Sequence, residues 1–342
     1  MPAKTPATIV TGFLGAGKTT LIRHLLANAG GRRIALIINE FGDLGVDGDI
    51  LKGCGDETCT DEDVVELSNG CICCTVADDF IPALEKLLAR PEPPDHILIE
   101  TSGLALPQPL VRAFNWPGIS TRVTVDGVVT VVDGKAVSEG RFAHDEAAVD
   151  AARAEDDNLD HETPLSELFD DQLACADLVV VNKADLLTEA ETEALIARLK
   201  AGTRPSVQVL RSTMGALPCE VLLGHKAAAE SDDRKAPHHD AEGEDHDHDE
   251  FESFIITRPE ITDPSAFAAR IADTIRSHDI LRLKGFGSVA GKPMRLTIQA
   301  VGPRVETYFD RPLAASEPRE TRLVVIGETG LDRAAIEAAL SR

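Results

Sequence analysis

The chain has 342 residues, enough for two domains, with 43% hydrophobic and 27% charged residues and a formal net charge of −24. That charge repels nucleic-acid phosphates and anionic membranes, and no basic patch offsets it, so neither is an expected partner. The N-terminus MPAKTPATIVTGF lacks the apolar core of a signal peptide and no apolar run reaches the ~20 residues of a membrane span, so a cytoplasmic protein with reduced thiols is the expectation.

In chain order, a β-branched strand at 8–12 runs through a glycine-rich turn into a helix over 19–29. Gly12, Gly17, Lys18 and Thr19 fit G-x-x-x-x-G-K-[ST] in the strand, loop, helix context that motif requires. Glycines let backbone N–H groups wrap phosphates at a helix N-terminus. Lys18 neutralises β and γ oxygens, and the Thr19 hydroxyl can ligate Mg²⁺. A second strand, 33–38, leads into NEFGDLGVDG, where Glu40 is a candidate ligand for Mg²⁺ or for a second metal, and Asp43 and Asp47 read as solvated loop acids. The next motif, NGCICC, gathers Cys71, Cys73 and Cys74 in a chain with seven cysteines. Thiolates are soft ligands suited to Zn²⁺ and other late divalent ions, and three in one short loop form an incomplete shell from which an ion can be loaded and released.

After a helix over 79–90, the strand 96–100 ends in a carboxylate, Glu100, a candidate for Mg²⁺ or its water shell. Gly103 follows, with a backbone N–H that can meet a γ-phosphate. A strand at 128–132 precedes the acid-rich stretch 139–171, which reads as a mobile, solvated insertion with helical propensity. The strand 178–181 then delivers Asn182, Lys183 and Asp185 as N-K-x-D. An aspartate accepts two N–H bonds from the guanine edge that adenine cannot offer, which favours GTP over ATP. A helix follows at 189–200. Strands alternating with helices predict an α/β domain with a mostly parallel sheet over residues 1–229, its ligand loops at the carboxyl ends of the strands.

Glu230 to Glu252 carries eleven acids, two bases and four histidines (His238, His239, His246, His248) with no apolar pattern. Residues 230–250 therefore read as a solvated linker, either a spacer or a weak metal collector. Residues 251–342 read as a small α+β domain with an antiparallel sheet: strands at FESFIITRP, RLTIQAVG, RVETYFD and RLVVIGE, helices at PSAFAARIADTIR and LDRAAIEAAL. GFGSVAGKP, 285–293, has glycines and a lysine but the wrong spacing for a phosphate loop, and reads as a plain loop.

GFLGAGKTT, NEFGDLGVDG, NGCICC, IETSG and NKADLL, in this order, resemble the CobW-type metallochaperone GTPases, SIMIBI-class relatives of the hydrogenase and urease nickel-insertion GTPases. The resemblance covers about residues 8–200, with a weaker match in the C-terminal region. It implies that Gly15, Gly17, Lys18, Thr19, Asn182, Lys183 and Asp185 bind GTP, beside which Gly12, Ala16, Thr20 and Gly103 are candidates by their place in the same loops, that Lys18 and Glu100 serve hydrolysis, and that Cys71, Cys73, Cys74 and Glu40 hold the transported metal. It further implies that GTP and Mg²⁺ organise the thiol loop and that hydrolysis releases the ion to a client. The segments GCGDETCTDED, ALPQPLVRAFNWP and VETYFDRP look most like the cobalamin-biosynthesis branch, which implies Co²⁺ and a cobaltochelatase client. The alternatives are Zn²⁺, favoured by the Irving–Williams order, and a nucleotide-regulated metal store. A nucleotide-dependent dimer is compatible with the resemblance. Cys54 and Cys59 lie outside the shared motifs.

Overall fold

The computed structural model describes residues 4–39, 64–67, 80–155, 164–223, 250–314 and 317–341. Glu40, Asp43, Asp47, Cys54, Cys59, Cys71, Cys73, Cys74 and all of the linker except Glu250 lie outside them. The described residues fall into two compact units, Lys4–Leu217 and Pro218–Arg342.

The first unit runs β1 (Thr5–Thr11), α1 (Lys18–Ala27), β2 (Ile34–Asn39), β3 (Val64–Leu67), α2 (Ile81–Leu88), β4 (His96–Glu100), α3 (Pro107–Ala113), α4 (Pro117–Ser120), β5 (Val123–Asp133), α5 (Gly134–Ser138), α6 (Glu146–Glu155), α7 (Leu165–Cys175), β6 (Leu178–Asn182), α8 (Glu189–Gly202) and β7 (Gln208–Arg211). Its seven strands pair in parallel in the order β3-β2-β4-β1-β5-β6-β7. Continuous apolar runs explain why the sheet is parallel and covered on both faces: every residue of β4, β5 and β6 is buried. One core cluster joins Ile9, Ile37, Leu84, Ile99 and Phe114. Another joins Phe13, Leu104, Val132, Phe169, Leu173 and Val181. Chain order reverses around β1, which has β4 on one side and β5 on the other. That is where open α/β sheets form a ligand crevice beyond the carboxyl ends of their strands.

Expected strands and helices are present, and two short strands, β3 and β7, add to them. The acid-rich stretch departs from expectation. Val149 of α6 and Phe169 of α7 are buried in the second core cluster, so this insertion contributes a packed face rather than only a solvated one. Its acids mask an apolar stripe one turn apart, and Phe169 joins a ring cluster with Phe13 and Phe142 at centroid distances of 5.3–6.0 Å.

The second unit comprises α9 (Cys219–Leu223), β8 (Phe251–Pro259), α10 (Pro264–Ser277), β9 (Ile280–Ser288), β10 (Met294–Val301), β11 (Arg304–Pro312), β12 (Glu320–Glu328) and α11 (Arg333–Ser341). The sheet is antiparallel in the order β11-β10-β9-β12-β8, and its apolar face buries Ile256, Leu283, Ile298, Leu323 and Val325 with Phe267, Ile271 and Ile275 of α10. The loop expected over 285–293 is overturned for its first four residues, which complete β9. Glycine is required there by close backbone approach: a Cβ on Gly285 would lie 2.0 Å from the Arg322 carbonyl oxygen. Arg282, 2% exposed, is held by donating to the carbonyl oxygens of Val221 (3.2 Å) and Leu222 (2.6 Å) in α9.

Candidate functional site

The loop between β1 and α1 is shaped by glycines in the left-handed region. Gly12 (φ 136°), Gly15 (φ 76°) and Gly17 (φ 101°) all take positive φ. A Cβ on Gly12 would lie 2.1 Å from the Val131 carbonyl oxygen, and one on Gly17 2.2 Å from Asn182 Nδ2, so the loop is pressed against β5 and β6. Gly17 caps α1, whose first residues Lys18, Thr19 and Thr20 leave their N–H groups at a helix N-terminus, an electropositive cradle for phosphate. Lys18, 7% exposed, donates through Nζ to the carbonyl oxygens of Gly12 (3.0 Å) and Phe13 (3.4 Å) and is held at the mouth of the loop.

Glu100 ends β4 beside this cradle. Thr19 Oγ1 donates to its Oε1 at 3.1 Å, so the hydroxyl and carboxylate expected around Mg²⁺ share one site. Both are hard oxygen donors at the edge of a phosphate cradle, a donor set that fits Mg²⁺. The chain then turns through Thr101, whose N–H donates to the Val10 carbonyl oxygen at 3.0 Å, and Gly103 meets the P-loop edge-on: a Cβ there would lie 2.6 Å from Leu14 N.

The N-K-x-D residues divide their work. Asn182, 2% exposed, donates through Nδ2 to the Ala16 carbonyl oxygen at 3.0 Å and accepts at Oδ1 from the Gly215 N–H at 3.0 Å. It joins the P-loop, β6 and the loop after β7. Lys183 takes a left-handed conformation (φ 59°), and its Nζ lies 2.6 Å from Oδ2 of Asp133, a buried acid whose other oxygen caps α5 through the Ala136 N–H at 3.0 Å. Asp185 stands exposed on the 3₁₀ turn Ala184–Leu186.

Two parts of this edge escaped the sequence reading. Asp133 ends β5 as Glu100 ends β4, and that pattern of an apolar strand closed by an acid was a usable signal. The Ser212–Ala216 turn had none beyond its glycine. It is fixed by the Ser212 N–H donating to Val181 O (2.8 Å), by Ser212 Oγ donating to Ala216 O (3.0 Å), and by Gly215, where a Cβ would lie 2.7 Å from Leu21 N. Among the described residues, no three His, Cys, Asp or Glu side chains cluster to hold a metal ion, and no helix is long and apolar enough to cross a membrane.

A glycine-lined P-loop, an acid-ended strand beside it and an N-K-x-D turn on one edge of a parallel sheet define a P-loop GTPase-class protein. The chain belongs to the CobW/HypB/UreG family: the model of that family's nucleotide-binding domain matches residues 6–211, and that of the cobalamin synthesis protein cobW C-terminal domain matches residues 251–342. It is 59% identical over 343 residues to the zinc chaperone CobW of Sinorhizobium sp, covering 99% of this chain and 97% of that one. The zinc chaperone CobW of Pseudomonas aeruginosa is 55% identical over 341 residues, covering 98% and 90% respectively. The zinc-regulated GTPase metalloprotein activator 1 of Schizosaccharomyces pombe is 36% identical over 215 residues, which is 62% of this chain and 46% of that one.

Proposed function

We propose that the protein is a GTP-hydrolysing zinc chaperone. The observation that carries the nucleotide half is the convergence of the P-loop, the Thr19–Glu100 pair and the Asn182 bridge at one crevice. In this reading the 12–20 loop wraps the phosphates, Lys18 turns from the Gly12 carbonyl to β and γ oxygens, and Asp185 accepts from the guanine edge. Thr19 and Glu100 would hold Mg²⁺, which when bound neutralises charge between the β- and γ-phosphates. The Gly103 N–H meets the γ-phosphate. Cys71, Cys73 and Cys74, with Glu40, take the cargo ion, and hydrolysis releases it to a client protein. Residues 230–250 serve as an acidic linker between α9 and β8.

For the cargo, zinc replaces the cobalt expected from the sequence. Zinc is supported by the names of the relatives at 59% and 55% identity and by the greater affinity of thiolate sites for Zn²⁺ than for Co²⁺. Cobalt and a cobaltochelatase client have no comparable support. The test is a competition titration of Zn²⁺ against Co²⁺ with Mg²⁺ and a slowly hydrolysed GTP analogue. Zinc should displace cobalt, quenching the visible cobalt–thiolate absorption at equimolar ratio. Persistence of that absorption under a zinc excess would restore the cobalt reading.

A further inference from the structure

Gln172 stands in the C-terminal half of α7, one residue past the stretch 139–171 read from sequence as solvated, and it is 0% exposed. Its Nε2 donates to two backbone carbonyls of the loop after Glu100, Gly103 O at 3.3 Å and Ala105 O at 3.2 Å. Two acceptors on one side fix the amide orientation, since only the NH₂ end can satisfy both. The other end, Oε1, is buried and has no hydrogen-bond partner among the described residues. A half-satisfied buried amide is a costly way to fill space, and a leucine or methionine would fill it at lower free energy. What an apolar side chain cannot do is hold the Gly103 and Ala105 carbonyls.

The same helix is itself anchored. Thr130 Oγ1 of β5 donates to the Gln172 carbonyl oxygen at 3.1 Å, and Phe169, one turn earlier, packs its tilted ring against that of Phe13 in the P-loop at a centroid distance of 6.0 Å. α7 therefore touches both loops that flank the phosphate crevice. Gly103 is confined between them: a Cβ there would lie 2.6 Å from Leu14 N, and its carbonyl is held from α7. We infer that Gln172 is a positioning residue for the γ-phosphate-sensing loop: it sets the backbone of Gly103 so that its N–H distinguishes a triphosphate from a diphosphate. This rests on the GTPase reading above and adds a residue to it that touches neither nucleotide nor metal.

The test compares binding of GDP and of a slowly hydrolysed GTP analogue to the wild-type chain, Gln172→Met and Gln172→Glu, with thermal unfolding measured alongside. Gln172→Met keeps the volume and loses the donor. It should lower affinity for the GTP analogue by about tenfold and leave GDP binding within about twofold, as expected when two backbone hydrogen bonds no longer order the loop. Gln172→Glu places a carboxylate against two carbonyl oxygens; protonated, it regains one donor. Its analogue affinity should therefore be poor at pH 8 and recover toward pH 5.5, while wild type stays flat. Equal weakening of both nucleotides in the Met variant, or an unchanged analogue-to-GDP ratio, overturns the inference. Should the Met variant fail to fold, a flat pH profile in the Glu variant does the same. Failure of the wild-type chain to bind guanine nucleotide at all would instead sink the GTPase reading.

Discussion

Asp185 projects from its 3₁₀ turn exposed, three residues beyond the buried Asn182, and the two illustrate what a motif does and does not tell. The N-K-x-D spacing predicts the outward role of the aspartate. Asp185→Asn exchanges an acceptor for a donor facing guanine donors, so it should cost about 1–3 kcal/mol of GTP affinity and leave ATP nearly unaffected. Side-by-side titrations of the two nucleotides measure this, and an unchanged ratio would remove Asp185 from the base site. The inward role of Asn182 was illegible. Its partners Ala16 and Gly215 lie 166 and 33 residues away, and no local pattern reports a contact across such separations. The same holds for Lys183, whose ion pair with Asp133 spans 50 residues. Sequence supplied the P-loop residues, Glu100 and Gly103 because each carries a local backbone signature. The supporting side chains that hold those residues in place, Gln172 among them, have none.

At the scale of elements, the parallel strands were legible because β-branched runs buried on both faces leave a continuous apolar signal, as in LVVVN of β6. β3 and β7, at four residues each, are too short to give that signal. β9 was not expected as a strand, and its last four residues read as a loop for a different reason: glycines normally mark loops, but at Gly285 and Gly287 they permit close packing on β12 and on Ile261. α7 was misread because three of its eleven residues are acidic, yet Phe169 and Leu173, four apart, lie on its buried side. Phe169→Ala should accordingly cost about 3–5 kcal/mol of stability, read as a lowered denaturant midpoint, since it removes a ring from the Phe13–Phe142–Phe169 cluster. A change below about 0.5 kcal/mol, typical of surface substitutions, would return α7 to the solvent.

For the molecule as a whole, the sequence announces two kinds of sheet, and the structure contains a seven-stranded parallel one and a five-stranded antiparallel one in separate compact units. The central claim joins nucleotide to metal. The residues proposed to sense a γ-phosphate and those proposed to offer thiolates are close in sequence, with Glu100 and Gly103 following Cys71, Cys73 and Cys74 by about thirty residues. If bound triphosphate orders the thiol loop before the ion arrives, the two affinities must rise together by reciprocal linkage, typically by about 1–3 kcal/mol or 5- to 150-fold. The most direct measurement is the Zn²⁺ dissociation constant, by competition with a chromophoric chelator, in the presence of Mg²⁺ with GDP and then with a slowly hydrolysed GTP analogue. We expect zinc to bind at least about tenfold more tightly with the analogue, and that gain to vanish when Cys71, Cys73 and Cys74 are all replaced by serine while analogue binding persists. Equal zinc affinity with both nucleotides, or tight analogue-dependent zinc binding in the triple-serine chain, would contradict a GTP-gated thiolate site.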